Sequence, residues 1–260
     1  MDFTKSDLHV HTKLSLCASN DAFAEDYLKA AADNGQEVIG FSDHYWDETV
    51  NHPNLIGFYQ AQNTEHVLQL KKELETIDHH GLKVLFGCET EFAGHTLGIS
   101  EEAAKLFDYV IVPHSHTHML GFVLPEDMTA PKDHAKYLVD SFLEVANHKL
   151  AKKYIYGIVH PFNPVGKSDE DAVEILKNIT DDEFLKCAES AKKNEVSIEL
   201  NASSLVNKPD ELLREYKRFF KACVQVGCSF FAGSDKHSVR TDKTQDAFFK
   251  INEVAEYLLS

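Results

Sequence analysis

The chain has 260 residues, 43% of them hydrophobic, and carries 42 acidic against 26 basic side chains, a net charge of −16. That apolar content fills a sizeable core and excludes a disordered chain. The acidic surface, with no basic run to offset it, disfavours nucleic acid and concentrates divalent cations instead. The opening MDFTKSDLHVHT lacks the apolar core of a secretory signal, and no stretch approaches the roughly 18 apolar residues of a membrane span. Five cysteines, none in a C-x-x-C pair, read as reduced thiols. A cytosolic (cytoplasmic) protein is therefore expected.

Short apolar runs alternate with amphipathic segments from end to end. Ser6–His11 reads as strand and Phe23–Asn34 as helix, stopped by Gly35. Glu37–Ser42 is strand, Glu65–His79 helix, and Lys83–Cys88 strand. A short helix at Glu101–Phe107 precedes a strand at Tyr109–Pro113, and a long helix at Asp133–Lys152 precedes a strand at Tyr156–His160. Two helices follow, Glu170–Asn178 and Asp181–Asn194, the second with Thr180 as its N-cap. Val196–Asn201 is strand, Asp210–Val226 helix between Pro209 and Gly227, Ser229–Ser234 strand, and Asp242–Leu259 the last helix. The strands are nearly continuous apolar runs, as parallel strands covered on both faces require. Seven β-then-α units without a linker predict one domain over residues 1–260, a closed α/β barrel or a doubly wound sheet. Two long stretches without periodicity, Tyr45–Gln62 and His116–Lys132, are expected to cover a site.

Histidine is over-represented, at 15 residues, and its placement matters more than its number. His9 and His11 end the first strand, Asp43 and His44 follow the second, and Glu89 and Glu91 end the third. His114, His116 and His118 follow the fourth, His160 ends the fifth, Glu199 and Asn201 end the sixth, and Asp235 and His237 follow the seventh. All sit at carboxyl ends, which in an α/β barrel converge on the face that carries the active site. A two-residue spacing on a strand aims both members of His9/His11, and of Asp235/His237, the same way. Imidazole and carboxylate suit zinc, manganese or iron, and so many donors exceed the four ligands of one tetrahedral zinc. Two or three ions are expected, with Glu89 bridging two of them. Such a cluster supplies a hydroxide at neutral pH and clamps both oxygens of a displacement at phosphorus.

Six segments, DLHVHT (Asp7–Thr12), FSDH (Phe41–His44), GCETEF (Gly87–Phe92), DYVIVPHSH (Asp108–His116), IVHPFNP (Ile158–Pro164) and GSDKHS (Gly233–Ser238), run through nearly the whole chain. In this order they resemble the PHP (polymerase and histidinol phosphatase) superfamily. The resemblance implies a distorted seven-stranded β/α barrel of TIM-like form with a trinuclear metal site at the carboxyl ends of its strands. It implies one ion on His9, His11, Glu89 and Asp235, a second shared through Glu89 and held by His116 and His160, and a third on His44 and His237. His114 and His118 are rivals of His116. The remaining third-ion ligand aligns on Cys17, a softer thiolate, with Asp21 as the alternative. Glu89, His116, Asp235 and His237 are thereby the candidate catalytic residues. The implied activity is that of a stand-alone phosphatase: metal-bound hydroxide attacks the phosphorus of a small phosphorylated substrate, histidinol phosphate or similar.

A substrate phosphate calls for a cation, and arginine is scarce. Arg240, three residues past His237, is the first candidate, with Lys236 and Lys208 behind it; Arg214 and Arg218 fall on a helix and are expected to be solvated. Three rival functions remain. An amidohydrolase-like enzyme cleaving C–N bonds shares H-x-H, but it normally closes on a lone Asp and uses a strand-end lysine, absent after the fourth strand. A phosphodiesterase or nuclease conflicts with the charge. A non-catalytic metal-binding module leaves an apparently complete ligand set without a purpose.

Overall fold

The computed structural model describes residues 2–239 and 248–260. Seven strands form its central sheet in chain order: β1 Ser6–Val10, β2 Val38–Phe41, β3 Lys83–Thr90, β4 Tyr109–Pro113, β5 Ile155–Val159, β6 Ser197–Asn201 and β7 Phe230–Gly233. Each pairs in parallel with the next. The seam between β7 and β1 closes beyond the end of β7, against the last residues of β1 and the residue that follows it. There the Asp235 N–H donates to the His9 carbonyl at 2.7 Å and the His11 N–H to the Lys236 carbonyl at 2.9 Å. The result is the nearly closed TIM-like barrel that the alternation of elements and the resemblance predicted, with a doubly wound sheet excluded.

The barrel interior explains several sequence choices. Leu8, Tyr109, Ile111, Val159 and Phe231 form one buried cluster that plugs the barrel beneath the strand ends. Tyr109 occupies the space left by Gly40 and Gly87, and Phe231 that left by Gly157; a methyl group at any of the three would overlap these rings. The outer faces of the strands pack with the helices into a separate, larger core. On β1 strict alternation fails. Asp7 pairs with Ile39 and Val10 with Phe41, so three steps on β1 span two on β2. This bulge lets Leu8 join the inner plug while its neighbour His9 also faces the mouth, a re-aiming that an extra residue in a strand makes possible.

The helices follow their capping signals. Thr180 and Glu183 form a reciprocal capping box at Asp181–Lys193, and Gly227, at φ 75°, ends Asp210–Val226 in the left-handed conformation. The predicted helix Asp133–Lys152 begins earlier, because Pro131 takes its first turn, and stops at Ala146; a separate turn covers Ala151–Tyr154. The last helix is described over Ile251–Leu258, and its predicted start at Asp242 lies outside the described residues. Several small elements were not anticipated, among them a 3-10 turn at Phe3–Lys5 and a two-residue strand His44–Tyr45 beside Glu89–Thr90. The others are a hairpin of Phe92–Ala93 with Thr96–Leu97 and the four-residue helices Gly57–Gln60 and Ala202–Leu205. Among the described residues no helix is long and apolar enough to cross a membrane.

The close approach of Tyr109 to Gly87 gives a test of the inner plug. Gly87→Ala is expected to lower the unfolding free energy by about 1–3 kcal/mol through overpacking, read as a lower denaturant midpoint at unchanged slope.

Candidate metal centre

The strand ends deliver a buried ring of imidazoles around one carboxylate. Glu89, at the end of β3, is 1% exposed and divides its two oxygens. Oε2 lies 3.6 Å from His9 Nε2, 3.4 Å from His11 Nε2 and 3.0 Å from His44 Nδ1. Oε1 lies 3.2 Å from His160 Nε2 and 4.0 Å from His116 Nε2. Asp235 Oδ1 stands 3.6 Å from His9 Nε2 and 3.5 Å from His11 Nε2. Donors bound at about 2.1 Å to one tetrahedral ion are about 3.4 Å apart, so the four spacings between these two imidazoles and the two carboxylates have the size that such an ion needs. Three groups of donor atoms converge within 4.8 Å: His9, His11 and Asp235; Glu89, His116 and His160; and His11, His44 and His237.

Charge alone would not tolerate this burial. Desolvation pushes the Glu89 carboxyl up, but the neighbouring His44 and His9 imidazoles and the hydrogen bond from His160 hold it well below the carboxylate range. Asp235 behaves likewise under His9, His11 and His237. In return, burial drives His9 and His116 down, and the carboxylates beside them more than offset it. Glu199 foremost holds His9 well above its ordinary value, and Glu91 lifts His116 to about 9.

A second ring orients the first. His9 Nδ1 lies 2.7 Å from Glu199 Oε1, and His116 Nδ1 lies 2.6 Å from Glu91 Oε2. Since an ionised carboxylate only accepts, both Nδ1 atoms donate, and Nε2 is the nitrogen turned to the centre, the one that would give up its proton to hold a metal ion. His160 Nδ1 is held at 2.8 Å by Ser115 Oγ, whose own proton goes to the His160 carbonyl at 3.1 Å. His11 Nδ1 meets Ser15 Oγ at 3.1 Å, and Ser15 donates to Asp43 at 2.6 Å. Four histidines thus present Nε2 because their Nδ1 is occupied. Gly233 is required beside this ring, since a Cβ there would overlap the Glu199 carboxylate and the His9 side chain.

Two of the donors sit on strained backbone. His160, at φ 31°, and Asp235, at φ 58°, occupy the left-handed region, which costs a non-glycine residue on the order of 1–3 kcal/mol. Phe162, also left-handed at φ 60°, locks the His160 turn by burying its ring against Phe142, Phe184 and Phe219.

Of the residues predicted for the site, His9, His11, His44, Glu89, His116, His160, Asp235 and His237 come together. His114 does not. It is fully buried, Nδ1 facing the Leu138 carbonyl at 3.0 Å and Nε2 accepting from the Phe162 N–H at 2.9 Å, and burial pushes its pKa down to about 3. His118 lines the cavity over the centre but belongs to no donor group. Cys17 also lines that cavity outside the three donor groups, and desolvation together with the nearby Glu89 and Asp235 carboxylates pushes its thiol up to about 12. Asp21 accepts from Ser238 at 3.1 Å. Lys236, the second candidate for a phosphate contact, is buried with Nζ 3.9 Å from Asp7 and is not among the residues that line the cavity. Lys208 pairs with Asp169, Arg218 with Asp181 and Glu215, and Arg214 lines a separate surface depression. Arg240 lies outside the described residues. The orienting roles of Glu199, Ser15 and Ser115, and the hydrogen bond from Tyr59 to Glu91 at 2.8 Å, were not foreseen. The only sequence signal was the position of Glu199 at the sixth strand end.

Barrel and donor groups together define a metal-binding TIM-like barrel with its centre at the carboxyl mouth. The PHP domain matches residues 7–203, and the chain belongs to that family. No curated protein sequence matches it. It is similar in fold to a histidinol phosphate phosphatase from Lactococcus lactis, crystallised with zinc, L-histidinol and phosphate. That match has a TM-score of 0.61 at 16% identity and covers 98% of this chain and 94% of the other. A candidate histidinol phosphatase from Listeria monocytogenes is similar at TM-score 0.64 and 14% identity, over 91% of this chain and 96% of the other.

Two expectations follow. Glu199→Gln leaves His9 without its anionic partner and should weaken metal binding by roughly 10–100-fold in a chelator competition titration, with the fold intact by circular dichroism. His114 is held neutral, so between its ordinary pKa of 6.5 and its folded value of about 3 the unfolded chain binds a proton that the folded chain does not. Its contribution is full above 6.5 and lost as pH falls through that window. Unfolding free energy should therefore decline more steeply with acid in the wild type than in His114→Gln.

Proposed function

We propose that this chain is a metal-dependent phosphatase that hydrolyses a small phosphate monoester of about the size of histidinol phosphate. The observation that carries the reading is the Glu89 carboxylate, with one oxygen turned to His9, His11 and His44 and the other to His116 and His160. Membership of the PHP family supports it, as does the fold shared with a phosphatase holding zinc, L-histidinol and phosphate. His9, His11, Glu89 and Asp235 would hold one divalent ion, and Glu89, His116 and His160 a second. His44 and His237 would hold a third of lower affinity, because His11 completes their group and is already committed to the first. Zinc, manganese and iron all suit this donor set. When bound, such ions supply a nucleophile at neutral pH and Lewis-acid neutralisation of charge at phosphorus.

The protein's own contribution is orientation. Glu199, Glu91, Ser115 and Ser15 hold the imidazoles in one tautomer and one direction, so little reorganisation is required during reaction. A cavity of 370 Å³ opens directly on Glu89, Asp235, His44, His116, His160 and His237, a size that suits a small molecule. No lysine or arginine lines it among the described residues, so charge on the phosphate falls to the ions and to any contribution from Arg240. The missing lysine also counts against an amidohydrolase built on a carbamylated lysine.

The deciding experiment is a hydrolysis screen of the purified protein with zinc, manganese and iron added separately, against phosphomonoesters, phosphodiesters and amides. Turnover confined to phosphomonoesters is expected; turnover of amides alone would assign the chain to C–N hydrolysis. Glu89→Gln should reduce turnover by more than the roughly 100-fold that loss of an outer partner costs, in a protein that still folds. Elemental analysis should find more than one ion per chain, and one ion at full activity would refute a multinuclear centre. Cys17→Ala should leave the metal content unchanged, whereas loss of about one ion per chain would make the thiol a ligand of the third site.

A further inference from the structure

The cavity over the metal centre has two unlike walls. One is the imidazole–carboxylate cluster. The other is apolar: Ile56 and Phe58 from the first long loop, Met119 from the second, and Val165 beyond β5. These four are half-buried, their remaining surface available to the cavity. Phe58 stands edge-on to the His44 ring at 5.3 Å, so the apolar wall begins at the metal ligands themselves. Tyr59 belongs to the same wall and presents its ring, because its hydroxyl is spent on Glu91.

The charges in the cavity matter as much as the apolar surface. Its only carboxylates among the described lining residues are Glu89 and Asp235, and both belong to the donor set. Glu91 is fully buried, and its oxygens already accept from His116, Tyr59 and the Phe92 N–H. His118 and the Cys17 thiol, which line the cavity outside the donor groups, add no carboxylate to it. An ammonium group on the alcohol part of a substrate would therefore be desolvated against Phe58, Met119 and Val165 without an anion among the described residues to pair with, and burying an unpaired charge is strongly unfavourable.

We infer that the alcohol released by this enzyme is uncharged and apolar, of about the size of a ring on a short chain, and is not an amino alcohol such as histidinol. This rests on the phosphatase reading and narrows its substrate class. The phosphate faces the metal centre while the alcohol lies along the wall of Ile56, Phe58, Met119 and Val165, where burial of its apolar surface supplies the binding energy.

The test uses two substrates that differ by one ammonium group, phenylpropyl phosphate and L-phenylalaninol phosphate, on the full-length metal-loaded protein. The ratio of their kcat/KM values is expected to favour the neutral ester by about tenfold or more. Met119→Glu, which places an anion in the wall, should lower that ratio by about tenfold, and Val165→Glu serves as a second variant should the first fail to fold. Because both substrates are compared on one preparation, losses of metal or of folded protein cancel. A wild-type ratio at or below unity, or a ratio indifferent to the new carboxylate, overturns the inference. So does hydrolysis of histidinol phosphate with neither test ester turned over, and in that case the phosphatase reading stands. Failure to hydrolyse any phosphomonoester under all three metals overturns both.

Discussion

A carboxylate that is 1% exposed is costly unless its charge is answered on every side, and Glu89 is answered by five imidazoles. Much of the mouth of the barrel serves that one constraint. Three of those imidazoles crowd one oxygen and two the other, which divides the centre into two compartments joined by a single side chain. Asp235 closes the first compartment from β7 and Glu91 buttresses the second from β3. Remove the central charge and the imidazoles lose the group toward which they are aimed.

The constraint propagates outward. Holding Nε2 of His9, His11, His116 and His160 toward the centre requires partners for their Nδ1 atoms, and those partners are buried polar groups with needs of their own. Asp43, for instance, accepts from Thr12 and Ser15, and Ser15 also accepts from the His44 N–H at 3.1 Å. Strained residues sit at the same layer. The left-handed turns at His160 and Asp235 persist because aromatic packing around Phe162 and the hydrogen bond from Asp235 N–H to His9 across the seam over-determine them. Closure of the barrel and assembly of the site are therefore the same event on that side: the hydrogen bonds that join β7 to β1 involve His9, His11 and Asp235 directly.

The apolar wall of the cavity comes from other segments. Ile56, Phe58 and Met119 lie on the two long loops and line the cavity without belonging to a donor group, although His116 opens the second loop, so the apolar wall can vary while the donor groups stay as they are. A scaffold with its chemistry on strand ends and its recognition on loops divides the work in this way because loops tolerate change that a packed strand does not.

The sequence by itself determined the parallel-strand α/β class and the inner donors. Continuous apolar runs that alternate with amphipathic helices leave a closed barrel or a doubly wound sheet, between which the family resemblance pointed to the barrel, and a residue at the carboxyl end of each run has one face on which to gather. For that reason His9, Glu89, His160 and Asp235 were legible as a cluster although they are far apart in the chain. Only the tertiary structure set His114, His116 and His118 apart, because these differ in what surrounds them and not in type. His114 meets the Leu138 carbonyl and the Phe162 N–H, His116 meets Glu91, and His118 meets the cavity. It also decided that Lys236 turns to Asp7, and that Glu199, Ser15 and Ser115 orient the donors. Hydrogen bonds of that kind join residues distant in sequence, leave no periodicity, and depend on side-chain directions that exist only once the barrel has closed.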